Sequence, residues 1–191
     1  MLYIRAMFIQ TEATPNPATL KFIPGKPVLP GSTREYKKAA DALESPLAEK
    51  LFTVSGVSGV FLGHDFITVS KGSGEWQHLK PAILGLIMDH YVSGAPMLEG
   101  ETPVEQHGEE FFEADQAETV RTIKELLETR VRPAVAQDGG DITFKGFKEG
   151  IVYLNMKGSC AGCPSSTATL KHGIENLLRH FVPEVSEVRP V

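Results

Sequence analysis

"IVYLNMKGSCAGCPSSTATLKHGIENLLRHF", residues 151–181, passes from one periodicity to another within a single loop. Up to Lys157 the pattern has period two. Val152, Leu154 and Met156 point one way, and Tyr153, Asn155 and Lys157 the other, as in a strand with one buried face. From Pro164 onward the apolar residues Leu170, Ile174, Leu177 and Phe181 repeat at helical spacing. Strand and helix are joined by "GSCAGC", which holds both cysteines of the chain, Cys160 and Cys163. Cys163 is the expected N-cap and Pro164 the first helical residue, because proline there loses no needed N–H.

The elements around this junction extend the pattern. Upstream, Val120, Ile123, Leu127 and Val131 mark a helix over 117–136. "DGGD" at 138–141 ends it, with both glycines expected at φ > 0. "ITFKGF" pairs with the 151–157 strand across Lys148, Glu149 and Gly150. Pro183 closes the second helix, and "VSEVRPV" adds a last short strand. The order helix–strand–strand–loop–helix–strand makes a small two-layer α+β domain over 116–191.

The N-terminal part, 1–92, reads as a second α+β unit. "MFIQTEATPNPATLKFI" is two strands around a Thr-Pro-Asn-Pro turn. "SPLAEKLFTV" opens a helix with Ser45 as N-cap and Pro46 at its first position. "VSGVFLGHDFITVSK" reads as a hairpin. "EWQHLKPAILGLIMDHYVSG" is a helix ending before Gly94, with Pro81 in its first turn or kinking it. His64, His78 and His90 fall on different elements and read as surface or packing residues, not ligands.

Between the two, residues 93–115 hold seven acidic side chains and no Lys or Arg. With prolines and glycines interspersed, this reads as an acidic, flexible, solvated linker. The fold class is therefore α+β: two small domains on a tether.

Composition excludes several function classes. The net charge of −5 disfavours a sequence-independent nucleic-acid binder, which needs a basic footprint. No apolar run is long enough to span a membrane. The opening residues, with Met1 or Met7 as the start, lack a secretory signal. A reducing compartment is expected, which disfavours a structural disulfide and favours metal or redox chemistry. The bacterial cytoplasm is expected, with the mitochondrial matrix as the alternative.

Free N–H groups of the helix that starts at Pro164 favour anions in the loop, so both thiols are expected at lowered pKa. Gly158 and Gly162 keep side chains away, and the loop reads as an exposed platform of two thiolates. Three readings compete. A thioredoxin-like thiol–disulfide oxidoreductase has a C-x-x-C after a strand, but here proline follows the second cysteine instead of standing between the two. A structural zinc site needs four ligands, and His172 and His180 are too far apart along their helix to complete one locally. An iron–sulfur cluster also takes four thiolates, so a second copy of the chain has to supply two. Spacing alone leaves the three open.

"QDGGDITFKGFKEGIVYLNMKGSCAGCPSSTATLKHGIENLLRHFVPEV" closely resembles the C-terminal scaffold domain of the NifU/Nfu iron–sulfur proteins. "MFIQTEATPNPATLKFIPGKPVL" with "SPLAEKLFTVSGVSGVFLGHDFITVSK" resembles the N-terminal domain of the mitochondrial and alphaproteobacterial members. The resemblance implies a carrier, not an enzyme. It implies a [4Fe–4S] cluster held between the two subunits of a homodimer, with Cys160 and Cys163 as ligands. It also implies delivery to apo iron–sulfur proteins, such as lipoyl synthase or aconitase-type clients. The N-terminal domain then reads as a partner-recognition or regulatory module.

Overall fold

The computed structural model describes residues 7–100 and 109–191. The chain divides into two compact units, 1–104 and 105–191.

In the N-terminal unit, β1 (Gln10–Ala13), β2 (Thr19–Ile23), β3 (Arg34–Tyr36), β4 (Val57–Leu62) and β5 (Ile67–Lys71) form one sheet. Its order is β1-β2-β5-β4-β3, antiparallel throughout. The first two strands and the β4–β5 hairpin match their sequence patterns. β3 is three residues long, too short for an alternation to show in the sequence. Two helices share a core with this sheet: α1 (Pro46–Phe52) and α2 (Trp76–Ser93). Ser45 caps α1, its Oγ accepting from the Ala48 N–H at 3.2 Å. A cap of this kind is worth about 1 kcal/mol. Leu47 and Leu51 of α1 and Ile83 and Ile87 of α2 are wholly buried against Phe22, Leu62 and Val69. Pro81 lies inside α2, where it removes the donor to the carbonyl of Gln77. Gly94 terminates α2 with φ 69°, a left-handed position open to glycine.

The C-terminal unit carries the loop of interest. Its helical layer begins with α3 (Ala117–Leu126), widens into a π turn (Leu127–Val131) and resumes as α4 (Arg132–Gln137). The sequence pattern predicted one regular helix here. Pro133 explains the difference. It cannot donate to the preceding turn, and its ring clashes with a carbonyl there. Widening the turn accommodates both problems, and the Arg132 N–H reaches back to the Leu127 carbonyl.

β6 (Gly140–Lys148) and β7 (Ile151–Gly158) form an antiparallel hairpin, and β8 (Glu187–Pro190) joins β7 in parallel. Val152, Leu154 and Met156 of β7 are buried, as their alternation predicts. They pack under Ile123, Leu127 and Val135, and under α5 (Pro164–Phe181). Three residues of the predicted α5 stripe face the core: Ile174 is buried, and Leu170 and Leu177 pack against it partly buried; the last, Phe181, does not. Glu175 and Leu178 are buried beside Ile174, while Phe181 is 45% exposed. Phe181 instead takes the Arg130 guanidinium over its ring at 5.1 Å.

The described parts of the 93–115 stretch make specific contacts. Ser93 completes α2, Met97 and Leu98 pack on the N-terminal core, and the Glu99 N–H donates to the Glu44 carbonyl at 2.7 Å. At the other end Phe111 lies beside Gly146 as an added edge to β6. Its N–H donates to the Lys145 carbonyl, its carbonyl accepts from Phe147, and Glu110 pairs with Lys124 at 2.8 Å. The middle of the expected tether, residues 101–108, lies outside the described residues.

Candidate cluster-binding loop

The loop is built from two glycine-rich ends. At the end of α4, Gly139 has φ 81°, as expected. Gly140 does not share that conformation; it belongs to β6. Its need for glycine is spatial. A Cβ there would stand 2.5 Å from Cys160 Sγ and 2.8 Å from the Lys157 carbonyl oxygen. The thiol of Cys160 therefore occupies the space that any other residue at 140 would fill.

Across from this turn, β7 ends at Gly158 (φ 66°), and the loop leaves through Gly162 (φ 85°). Several hydrogen bonds stitch the two ends together. The Ser159 N–H donates to the Gly139 carbonyl at 3.2 Å, and Ser159 Oγ donates to the Asp138 carbonyl. Thr167 Oγ1 donates to the Cys160 carbonyl at 3.1 Å.

The two cysteines are not equivalent. Cys163 is the N-cap of α5 with extended backbone, followed by Pro164, as predicted. It is partly exposed. Its Sγ lies 3.4 Å from Ser165 Oγ. Hydrogen bonds from the Ser165 and Ser166 hydroxyls, and from the Ser166 and Ser165 N–H groups, lower its thiol to about 7. Cys160 corrects the expectation of an exposed pair. It is 5% exposed and belongs to the core with Val135, Ile142 and Met156. Its Sγ points inward because Gly140 leaves room there.

Ser165 and Ser166 give Cys163 a testable signature. Alkylation of Cys163 in apo protein is expected to rise with pH through a midpoint near 7. Ser165→Ala removes the largest contribution, so the midpoint moves up toward the ordinary thiol range. An unchanged midpoint, read by quenched-flow alkylation and mass spectrometry, would remove the serine from this role.

One charged pair supports the loop from behind, and sequence reasoning missed it. Arg132 of α4 forms a two-pronged pair with Asp141 of β6, at 2.8 and 2.9 Å. It also meets Glu128 at 2.6 Å across the π turn. The bond to Asp141 is the main reason the Arg132 guanidinium holds its proton more tightly than usual. Only the repeated Asp of "DGGD" hinted at it.

The histidines take the packing and surface positions assigned to them. His78 is exposed. His64 Nδ1 accepts from the Gly31 N–H at 3.1 Å. His90 is buried on α2, and burial, helped by Lys50, disfavours its protonation. His172 and His180 are exposed on α5. Among the described residues no group of three or more His, Cys, Asp and Glu side chains gathers into a metal-binding cluster. Among them, too, no helix is long and apolar enough to cross a membrane.

Comparison with known proteins accords with both halves. Residues 9–94 match the domain family described as "Scaffold protein Nfu/NifU N terminal", and residues 123–189 match the "NifU-like domain". The human protein "NFU1 iron-sulfur cluster scaffold homolog, mitochondrial" is 52% identical over 190 residues, covering 98% of this chain and 73% of its own length. A Drosophila sechellia protein of the same name is 51% identical, and the chain spans 66% of that protein's length. The solution structure of a NifU-like protein from Saccharomyces cerevisiae is 29% identical with a TM-score of 0.47, covering 53% of this chain and 92% of that one. With both domains matched in order, and the human relative half identical along nearly the whole chain, the chain belongs to the Nfu/NifU scaffold-protein family.

Proposed function

We propose that the chain is a carrier that receives a [4Fe–4S] cluster on Cys160 and Cys163, shares it between two copies, and hands it to apo iron–sulfur proteins. The observation that carries this reading is the Cys163 thiol. It is partly exposed, its pKa is lowered to about 7, and it sits one short loop from the only other thiol in the chain. A thiolate near neutral pH is the form that ligates iron. Cys163 fits the cluster as placed. Cys160 has the right chemistry and the right loop, but its sulfur faces the core.

Sharing follows from ligand number. A cluster takes four thiolates and each chain offers two. The described residues bring no further ligand cluster to the loop, so a two-fold pair of loops is the economical way to complete the set. The same shortage weighs against a closed zinc site within one chain. Pro164 after the second cysteine, and not between the two, weighs against thioredoxin-like exchange.

A ligand set with two thiolates per chain has no surrounding cage, which suits release to a client. The relatives' printed names include "iron-sulfur cluster scaffold" and "mitochondrial". The first supports the cargo. The second favours the mitochondrial matrix over the bacterial cytoplasm. The clients fit the broad class of apo iron–sulfur enzymes, including the lipoyl synthase and aconitase types.

Anaerobic reconstitution with ferrous iron and sulfide tests the proposal. The expected product has about four irons per two chains, with the Mössbauer and absorption spectra of a [4Fe–4S] cluster. Protein that takes up zinc alone, or that only cycles between dithiol and disulfide, would overturn it.

A further inference from the structure

We infer that the loop 158–163 is a latch: without cargo it stores Cys160 inward against Gly140, and it must swing open for Cys160 to act as a ligand. The purpose of the latch rests on the carrier reading; its existence and its test do not.

Four observations converge. Cys160 is 5% exposed and part of the core, whereas Cys163, three residues on, is partly exposed. The Cys160 Sγ sits in a notch that exists only because residue 140 lacks a side chain, 2.5 Å from where a Cβ would be. The loop is fastened by hydrogen bonds at its base. Ser159 is tied to the Asp138 and Gly139 carbonyls, and the Cys160 carbonyl accepts from Thr167 Oγ1. Its two ends are Gly158 and Gly162, both at positive φ. Glycines there can leave and re-enter that region without a Cβ penalty, which makes them the natural pivots.

The closed loop and cargo binding are mutually exclusive for Cys160. A sulfur seated in the Gly140 notch, on a residue 5% exposed, cannot also face a cluster held between two chains. Opening exchanges the Ser159 and Thr167 hydrogen bonds and the Gly140 notch for sulfur–iron bonds. Release of the cargo reverses this exchange and returns the sulfur to a dry site. The latch therefore favours departure of the cluster and shields one of the two thiols in the empty carrier from oxidants.

Pulsed alkylation of full-length apo protein with iodoacetamide, resolved by mass spectrometry, reads the latch without iron. Cys163 is expected to react at least tenfold faster than Cys160 in the native protein, and the difference should collapse in denaturant. Ser159→Ala removes one fastening and contacts neither sulfur. It should raise the Cys160 rate about fivefold, the equivalent of one hydrogen bond, and leave the Cys163 rate unchanged. Gly140→Ala should raise the Cys160 rate further by filling the notch; should that variant fail to fold, Thr167→Val takes its place with an effect like that of Ser159→Ala. Equal native rates, or a Cys160 rate indifferent to Ser159→Ala, would overturn the latch. A failed reconstitution with normal alkylation behaviour would sink the carrier reading and leave the latch standing.

Discussion

Cys163→Ser is expected to lose the cluster and the iron-dependent dimer together, while the fold stays as it is. Serine is a harder and far less acidic ligand than cysteine, so at neutral pH it offers a protonated hydroxyl where iron needs a soft anion. The chain has no third cysteine to substitute. The side chain at 163 is partly exposed and outside the core, so stability should change by no more than about 0.5 kcal/mol. Cys160→Ser should lose the cluster equally but behave differently as a protein. Residue 160 is 5% exposed and belongs to the apolar core, and moving a hydroxyl in place of a thiol into such a site costs about 1 kcal/mol or more. The exposed loop expected from sequence implied two harmless substitutions; the structure implies one. Sedimentation velocity with iron counting decides the first point, and denaturant melts decide the second. A monomer holding a full cluster, or either serine variant retaining four irons per two chains, sinks the shared site.

The strength of the sequence signals followed how local their physics is. Caps and turns depend on a few neighbouring residues. Ser45 before Pro46, Cys163 before Pro164, and Gly94 after α2 were therefore all readable. The alternation in β7 was readable for the same reason, since one face of a strand is buried against one layer.

The misreadings came from contacts between distant segments. On α5 the predicted stripe ended in Phe181, yet Glu175 turns to the core. Its carboxylate accepts from the Val188 N–H at 3.1 Å and pairs with Arg179 at 3.1 Å. A hydropathy pattern places a glutamate outside; it has no knowledge of the N–H that β8 brings to it. Gly140 was assigned a backbone role because its need for space arises from a sulfur twenty residues away in sequence. The motif alone makes the two thiols look equal, and the fold separates them. Only Cys163 stands at the head of α5 beside Ser165, while Cys160 falls on the side facing Gly140.

Arg132→Met should destabilise the C-terminal unit by about 3 kcal/mol. The guanidinium neutralises Asp141, whose side chain is 7% exposed at the start of β6, through two hydrogen bonds. Without it, Asp141 keeps the Ile142 N–H at 2.8 Å but loses the Arg132 guanidinium in a place that water barely reaches. Breaking one side of a buried pair costs about 3–5 kcal/mol for this reason, and the surviving N–H argues for the lower end. For a unit of this size the loss corresponds to a fall in Tm of about 15 °C. The companion variants separate stranding a charge from losing a contact. Arg132→Met with Asp141→Leu removes both charges, and most of the stability should return, because a matched apolar pair escapes the desolvation cost. Glu128→Gln, at the 61%-exposed end of the same network, should change stability by less than about 1 kcal/mol. Calorimetry of the three variants settles the assignment. A double variant no better than Arg132→Met would show that the pair acts through geometry, by fastening the π turn to β6, and not by neutralising Asp141.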